Sequence, residues 1–194
     1  MEKTLSESAG YVLSVSEGRP REKRTEQENA IYDRLEALQI PFLRADHAPA
    51  DHMEACKAIE KALDGVICKN LFLCNRQQTD FYLLLLPPDK VFKTKYLSSQ
   101  LNCARLSFAT PEHLDHYLHT RPGSASLLEL LFDTDHHVRL VIDNDLRSDQ
   151  YLCCHPGFSV STVKLLRTDA LRYVASTGHE PIWVDLPTEL STDL

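Results

Sequence analysis

Three short segments carry residue types that together could handle a polar ester. Lys69-Asn70 interrupts the apolar run from Cys68 to Cys74 with a cation and an amide. Gly123-Ser124-Ala125-Ser126 follows Pro122 as a loop of small residues, where backbone can approach a ligand and present its N–H groups. His155-Pro156-Gly157 holds an imidazole in a rigid turn. A cation, a backbone-donor loop and a histidine suffice to bind an ester carbonyl and an adjoining phosphate or hydroxyl. Each segment also has a plainer reading. Lys69 either snorkels to water or is held for anion recognition; Gly123 ends a helix; His155 is satisfied by neighbouring backbone. In a regular strand, Lys69 sides with Leu71 and Leu73 while Asn70 sides with Phe72. Both polar groups serve one site only where the strand begins or bulges.

The elements that must position these groups follow from periodicity. Thr25 and Glu28 form a capping-box pattern ahead of Ile31, Leu35 and Leu38 on one helical face, and that helix stops before Pro41. Phe42-Leu43 starts a short strand. Asp51 caps a second helix with Met53, Cys56, Ile59 and Leu63 on its buried stripe and Gly65 just past its end. Strands are expected over 66–74 and 81–86, closed by Pro87-Pro88, then a helix over 94–101 and a strand at Leu106-Ser107-Phe108. Thr110-Pro111 opens a helix that ends by Pro122-Gly123. Further strands are expected over 127–132, 138–142, 151–153 and 162–166, with an Asp- and Asn-rich turn over 143–150. Thr168 caps a last helix ending at Gly178, and Ile182-Trp183-Val184 is strand or loop. Strands and helices interleave irregularly, which predicts an α/β (mixed α+β) fold: a mixed, largely antiparallel central sheet surrounded by helices.

Composition narrows the class. At 194 residues and 22.1 kDa, with 43% hydrophobic and 25% charged residues, the chain suits one domain with a sizeable core. Residues 1–24 are polar and mixed in charge and read as a flexible extension; 25–194 form the domain. No apolar run approaches the roughly 20 residues that cross a bilayer, and the first residues lack a signal-peptide pattern, so a cytoplasmic protein is expected. The six cysteines include no CxxC pair, and reduced thiols packed as small hydrophobes suit them better than a metal site at Cys153-Cys154-His155. A net charge of −7 argues against an extended nucleic-acid surface but allows a compact basic patch, for which Lys90, Lys93 and Lys95 are candidates beside the alternative of a solvated loop. The sequence has no GxSxG elbow, P-loop or dinucleotide glycine fingerprint.

The order of the segments resembles the YbaK/ProX family of aminoacyl-tRNA deacylases, also called prolyl-tRNA synthetase-associated or INS-like editing domains. The matching run takes in Leu63-Asp64-Gly65, Cys68-Lys69-Asn70-Leu71-Phe72-Leu73, Lys90, Leu106 to Glu112, Pro122 to Ser126, Val141-Ile142-Asp143, His155-Pro156, Thr162 and Gly178-His179, within about residues 27–186. Lys-Asn-Leu-Phe-Leu is similar to the stand-alone ProXp-ala/PrdX-like branch more than to YbaK itself. The resemblance implies trans-editing: hydrolysis of the ester joining a wrong amino acid to tRNA, with alanine on the proline tRNA as substrate and no cofactor. It implies Lys69 and Asn70 as catalytic residues, and Gly123, Ser124, Ala125, Ser126 and His155 as substrate-binding ones. The partners implied are the tRNA acceptor end and, beyond it, prolyl-tRNA synthetase or an elongation factor, with no membrane and a monomeric state. One departure stands out, because Leu127 occupies the place of the family's proline and puts the loop's rigidity in question. Ala125 stands where valine is common. These motivate two alternatives: editing of serine, threonine or cysteine, or a catalytically weak tRNA- or synthetase-binding module.

Overall fold

The computed structural model describes residues 3–4, 14–49 and 53–188. The central hairpin shows how the sequence builds it. β4 (Lys69–Asn75) pairs antiparallel with β5 (Phe81–Leu86), whose six residues are all buried. A strand packed on both faces has no reason to alternate polar with apolar, so Phe81 to Leu86 reads as an unbroken apolar run. Phe81, Leu83 and Leu85 enter one core, and Tyr82, Leu84 and Leu86 another.

Around this hairpin, β6 (Leu106–Phe108), β7 (Val138–Asp143) and β10 (Ile182–Val184) complete a five-stranded sheet of order β10-β7-β5-β4-β6. Its β10-β7 and β7-β5 pairs are parallel and the others antiparallel. A second, wholly antiparallel sheet has the order β1-β2-β3-β9-β8, from β1 (Lys3–Thr4), β2 (Ser14–Glu17), β3 (Leu43–Asp46), β8 (Tyr151–Cys154) and β9 (Ser161–Leu166). The mixed architecture agrees with expectation, with its strands divided over two sheets. Ser14–Glu17, expected within a flexible extension, is instead strand β2 paired along β3.

The main core lies between the sheets. It takes Phe72, Leu83, Leu85 and Ile142 from one, Leu152, Val163 and Leu165 from the other, and side chains of three helices: α1 (Glu26–Ala37), α4 (Pro111–Leu118) and α5 (Arg167–Ser176). α2 (Met53–Leu63) covers the outer face of the antiparallel sheet, where Ile59 and Leu63 meet Ala45 and Cys153. α3 (Thr94–Gln100) covers the outer face of the mixed sheet through Leu97. The Thr25–Glu28 capping box and the Thr110-Pro111 helix start are both present. Asp51, the expected cap of α2, lies outside the described residues.

Two further expectations are corrected. Leu127–Leu131 is a 3-10 turn rather than a strand. Ser126 caps that turn and Glu129 returns a hydrogen bond, and these local bonds compete successfully with sheet pairing. α5 starts at Arg167 with Leu166 at the cap position, so Thr168 lies inside the helix.

Candidate active site

β4 begins at Lys69, and its register with β5 runs without a bulge from Lys69 opposite Leu86 and Asn70 opposite Leu85. Lys69 and Asn70 therefore face opposite ways, yet both stand at the open end of the strand. Lys69 is exposed, and its Nζ donates to the Lys90 carbonyl at 3.1 Å. Asn70 Nδ2 donates to the Cys68 carbonyl at 3.1 Å. Its Oδ1 is buried and has no protein partner. An unpaired buried acceptor costs about 1–3 kcal/mol, which an incoming N–H or O–H donor would recover.

Lys90 is not part of an accessible patch. Its ammonium is buried and bonds Asp143 at 2.7 Å and Asp145 at 2.6 Å. Burial pulls its pKa down, but the hydrogen bonds and charges of the two carboxylates outweigh that and leave it raised. The pair thus anchors the carbonyl on which Lys69 rests.

The Gly123–Ser126 loop is tied to the turn after β8. Ser126 Oγ donates to the His155 carbonyl at 2.8 Å, and the Ser159 N–H donates to Ser124 Oγ at 3.2 Å. Thr120 Oγ1 donates to the Gly157 carbonyl at 2.8 Å. Glu129 joins the same two segments, since its carboxyl accepts from the N–H groups of both Ser126 and Gly157. Glu129 is fully buried, and desolvation pushes it up to about 8 even though these bonds favour the anion. The brace supplies the stiffness that a proline at position 127 would otherwise give; Leu127 itself is buried in the core. Ser124 N–H is occupied by the Arg121 carbonyl and Ser126 N–H by Glu129. Gly123 and Ala125 thus carry the loop's N–H groups not engaged within the described chain. Gly123 has φ +84° and open space on its Cβ side.

His155 is half-buried beside His47, with ring centroids 6.1 Å apart. Its Nδ1 lies 3.0 Å from the Ser161 carbonyl, which only accepts, so Nδ1 carries the proton and Nε2 a lone pair. The same logic at His47, whose Nδ1 sits 2.8 Å from the Ala48 carbonyl, makes His47 Nε2 an acceptor for the Thr162 hydroxyl at 2.9 Å. Thr162 Oγ1 in turn lies 3.3 Å from His155 Nδ1. Burial, then the neighbouring His47, lowers His155 to about 4 despite the Ser161 carbonyl; burial likewise lowers His47. Both rings are neutral near pH 7, and His155 Nε2 has no hydrogen-bond partner among the described residues.

The chain segments that lead to these two groups of residues are paired at a parallel bridge between Ile67 and Cys153. Both chains leave it in the same direction, one toward Lys69-Asn70 and the other toward His155. No hydrogen bond links Lys69 or Asn70 directly to the loop or the histidines among the described residues. The neighbouring thiols are inert: burial pushes Cys68 and Cys153 up to about 12 and Cys154 well above its ordinary value. Sequence reasoning gave no role to His47 or Glu129 and none to Thr162 beyond its place in the resemblance. The Ser126-x-x-Glu129 spacing is a legible capping-box signal, whereas nothing local marks His47.

The sequence profile of the family described as aminoacyl-tRNA editing domain matches residues 47–173, from His47 through Tyr173. The chain belongs to this family. Among its relatives, the editing-domain chain is 28% identical over 150 residues to the prolyl-tRNA editing protein ProX of Acetoanaerobium sticklandii, covering 77% of this chain and 92% of that protein. It is 29% identical over 150 residues to prolyl-tRNA synthetase associated domain-containing protein 1 of Danio rerio, covering 76% and 81%. A crystal structure described as a candidate trans-editing enzyme for prolyl tRNA synthetase superposes with a TM-score of 0.62 at 15% identity, over 85% of this chain and 100% of that one. That likeness is one of fold.

Proposed function

We propose that this editing domain is a trans-acting deacylase that hydrolyses the ester of a mischarged aminoacyl-tRNA, with alanine on the proline tRNA as its substrate. The observation that carries this reading is a neutral imidazole with a free Nε2 lone pair, held beside a loop with unengaged N–H groups. A neutral His155 can accept the proton of an attacking water, directly or relayed through the free hydroxyl of the terminal ribose, as the water oxygen adds to the ester carbonyl. The N–H groups of Gly123 and Ala125 are the donors for the resulting oxyanion, where one well-placed donor is worth roughly 3–4 kcal/mol. Collapse expels the ribose oxygen, which takes up a proton, and frees the amino acid.

Lys69 binds the terminal nucleotide. An ammonium about 4 Å from a phosphate gains on the order of 4 kcal/mol at an effective dielectric near 20, before desolvation. Asn70 Oδ1 accepts from the substrate's α-ammonium or a ribose hydroxyl, satisfying its open valence. Editing of this kind is needed because a pocket shaped for one amino acid rejects a smaller one by only about 1–3 kcal/mol per missing methylene. The half-buried Ala125 favours a second reading, in which the site also takes serine, threonine or cysteine. No described helix is long and apolar enough to cross a membrane; the reading itself puts the work on tRNA in the cytoplasm, by a monomer.

A panel of mischarged tRNAs tests this. Ala-tRNA(Pro) should be deacylated well above background, and Lys69→Ala should lose most of that rate. Binding without hydrolysis of any member would leave a recruitment module in its place.

A further inference from the structure

His47 lies outside every segment that marks the site in the sequence, yet the pairing of two strands brings it there. β3 and β9 run antiparallel with Ala45 opposite Thr162 and Asp46 opposite Ser161. The pairing extends one step past β3, since the His47 N–H donates to the Val160 carbonyl at 2.9 Å. His47 comes two residues after Ala45, so its ring falls on the same face of the sheet as Thr162, on the diagonal. Both side chains are buried away from bulk solvent, which would otherwise offer the Thr162 hydroxyl rival partners.

The hydrogen bonds around these side chains run in one direction. The Ala48 carbonyl takes the Nδ1 proton of His47, so His47 Nε2 accepts from the Thr162 hydroxyl. A threonine hydroxyl has one proton, so toward His155 Nδ1, 3.3 Å away, Thr162 Oγ1 presents only lone pairs. The Ser161 carbonyl, 3.0 Å from the same nitrogen, also presents only lone pairs. His155 Nδ1 faces two acceptors and holds the proton, which leaves Nε2 as the basic nitrogen. Of the partners of Nδ1 among the described residues, Thr162 alone could donate to it instead. Turned about its Cβ–Oγ1 bond, that hydroxyl would favour the ring form with its proton on Nε2, and that form cannot take a proton from water. His47 holds the hydroxyl away from this orientation.

We infer that His47 is a positioning residue for the ester hydrolysis: by accepting the Thr162 proton, it fixes His155 in the tautomer whose Nε2 is free to act as base. The inference rests on the deacylase reading and adds to it the group that readies the base without itself touching substrate. What His47 contributes is a preference between two forms of one ring. Its loss therefore lowers the fraction of enzyme able to react, rather than the affinity for tRNA.

Long-range proton–nitrogen correlation spectra of the histidine-labelled protein at neutral pH read the tautomer without any need of turnover. His155 should show a protonated Nδ1 and a bare Nε2. In His47→Leu, the freed Thr162 hydroxyl should move part of the population to the Nε2-protonated form, and kcat on Ala-tRNA(Pro) should fall roughly 3- to 10-fold with KM within about twofold. His47→Gln keeps an acceptor within reach of Thr162 and should restore both readouts. The deciding comparison is His47→Leu combined with Thr162→Val. Removing the rival donor should return the proton to Nδ1 and recover most of kcat, which a merely loosened fold would not do. An Nε2-protonated His155 in the unaltered protein, a tautomer indifferent to His47→Leu, or a double variant no better than the single one overturns the inference. If the tautomer responds as expected but no mischarged tRNA is hydrolysed, the control of His155 by His47 stands and the deacylase reading falls.

Discussion

His155 holds its proton on Nδ1 because the Ser161 carbonyl there can do nothing but accept, and the Thr162 hydroxyl beside it gives its own proton to His47. The consequence is measurable. With the ring lowered to about 4, kcat/KM for deacylation should rise as pH climbs through about 4 and stay flat from about pH 5 to neutrality. A midpoint near the ordinary value of 6.5 would mean that the ring is not buried as described. Stability carries the same sign: between 6.5 and about 4 the unfolded chain binds a proton that the folded ring refuses, so acidification through this window weakens the fold. Glu129 works in the opposite direction. Its folded value near 8 exceeds the ordinary 4.5, so its contribution is most favourable below 4.5 and is lost as pH rises through about 8. Glu129→Gln should therefore flatten the decline in urea midpoint between about pH 5 and 8, and a parallel decline in the variant would remove Glu129 as its source.

At the scale of elements, the Lys90–Asp143 pair positions the strand end that carries Lys69. Removing both carboxylates leaves the Lys90 ammonium buried without a counter-charge, so Asp143→Ala combined with Asp145→Ala should cost roughly 3–5 kcal/mol in equilibrium unfolding. A loss below about 1 kcal/mol would show that the ammonium reaches water. Elements whose signals are local were legible in the sequence. The Thr25–Glu28 box, the Thr110-Pro111 start and the apolar run of β5 each declare themselves within a few residues. Leu127–Leu131 did not, because five apolar-rich residues fit a buried strand and a 3-10 turn equally, and Ser126 decides between them through its cap. The site was half legible for a related reason. Lys69 is conspicuous as a cation in an apolar run, but Lys90, equally cationic, is consumed by two aspartates more than fifty residues away that no spacing rule connects to it. His47 joins the site by way of Thr162, 115 positions on.

Across the whole molecule, both sheets and three helices share one interior, so unfolding monitored by fluorescence and by far-UV dichroism should coincide in a single transition. Leu85→Ala, at the centre of that interior, should cost about 2–5 kcal/mol and shift both probes together. Separate midpoints would mean that the layers come apart independently. The Ile67–Cys153 bridge gives such a separation a chemical meaning, because it is the stitch nearest the point where the two halves each contribute a working group. A Cβ at Gly65 would sit 2.7 Å from Cys153 Sγ, beside that stitch. One added methyl there should act like a shim driven into a joint: Gly65→Ala is expected to push the Lys69 strand away from the His155 turn and to lower any deacylation rate that depends on both, with neither side chain replaced.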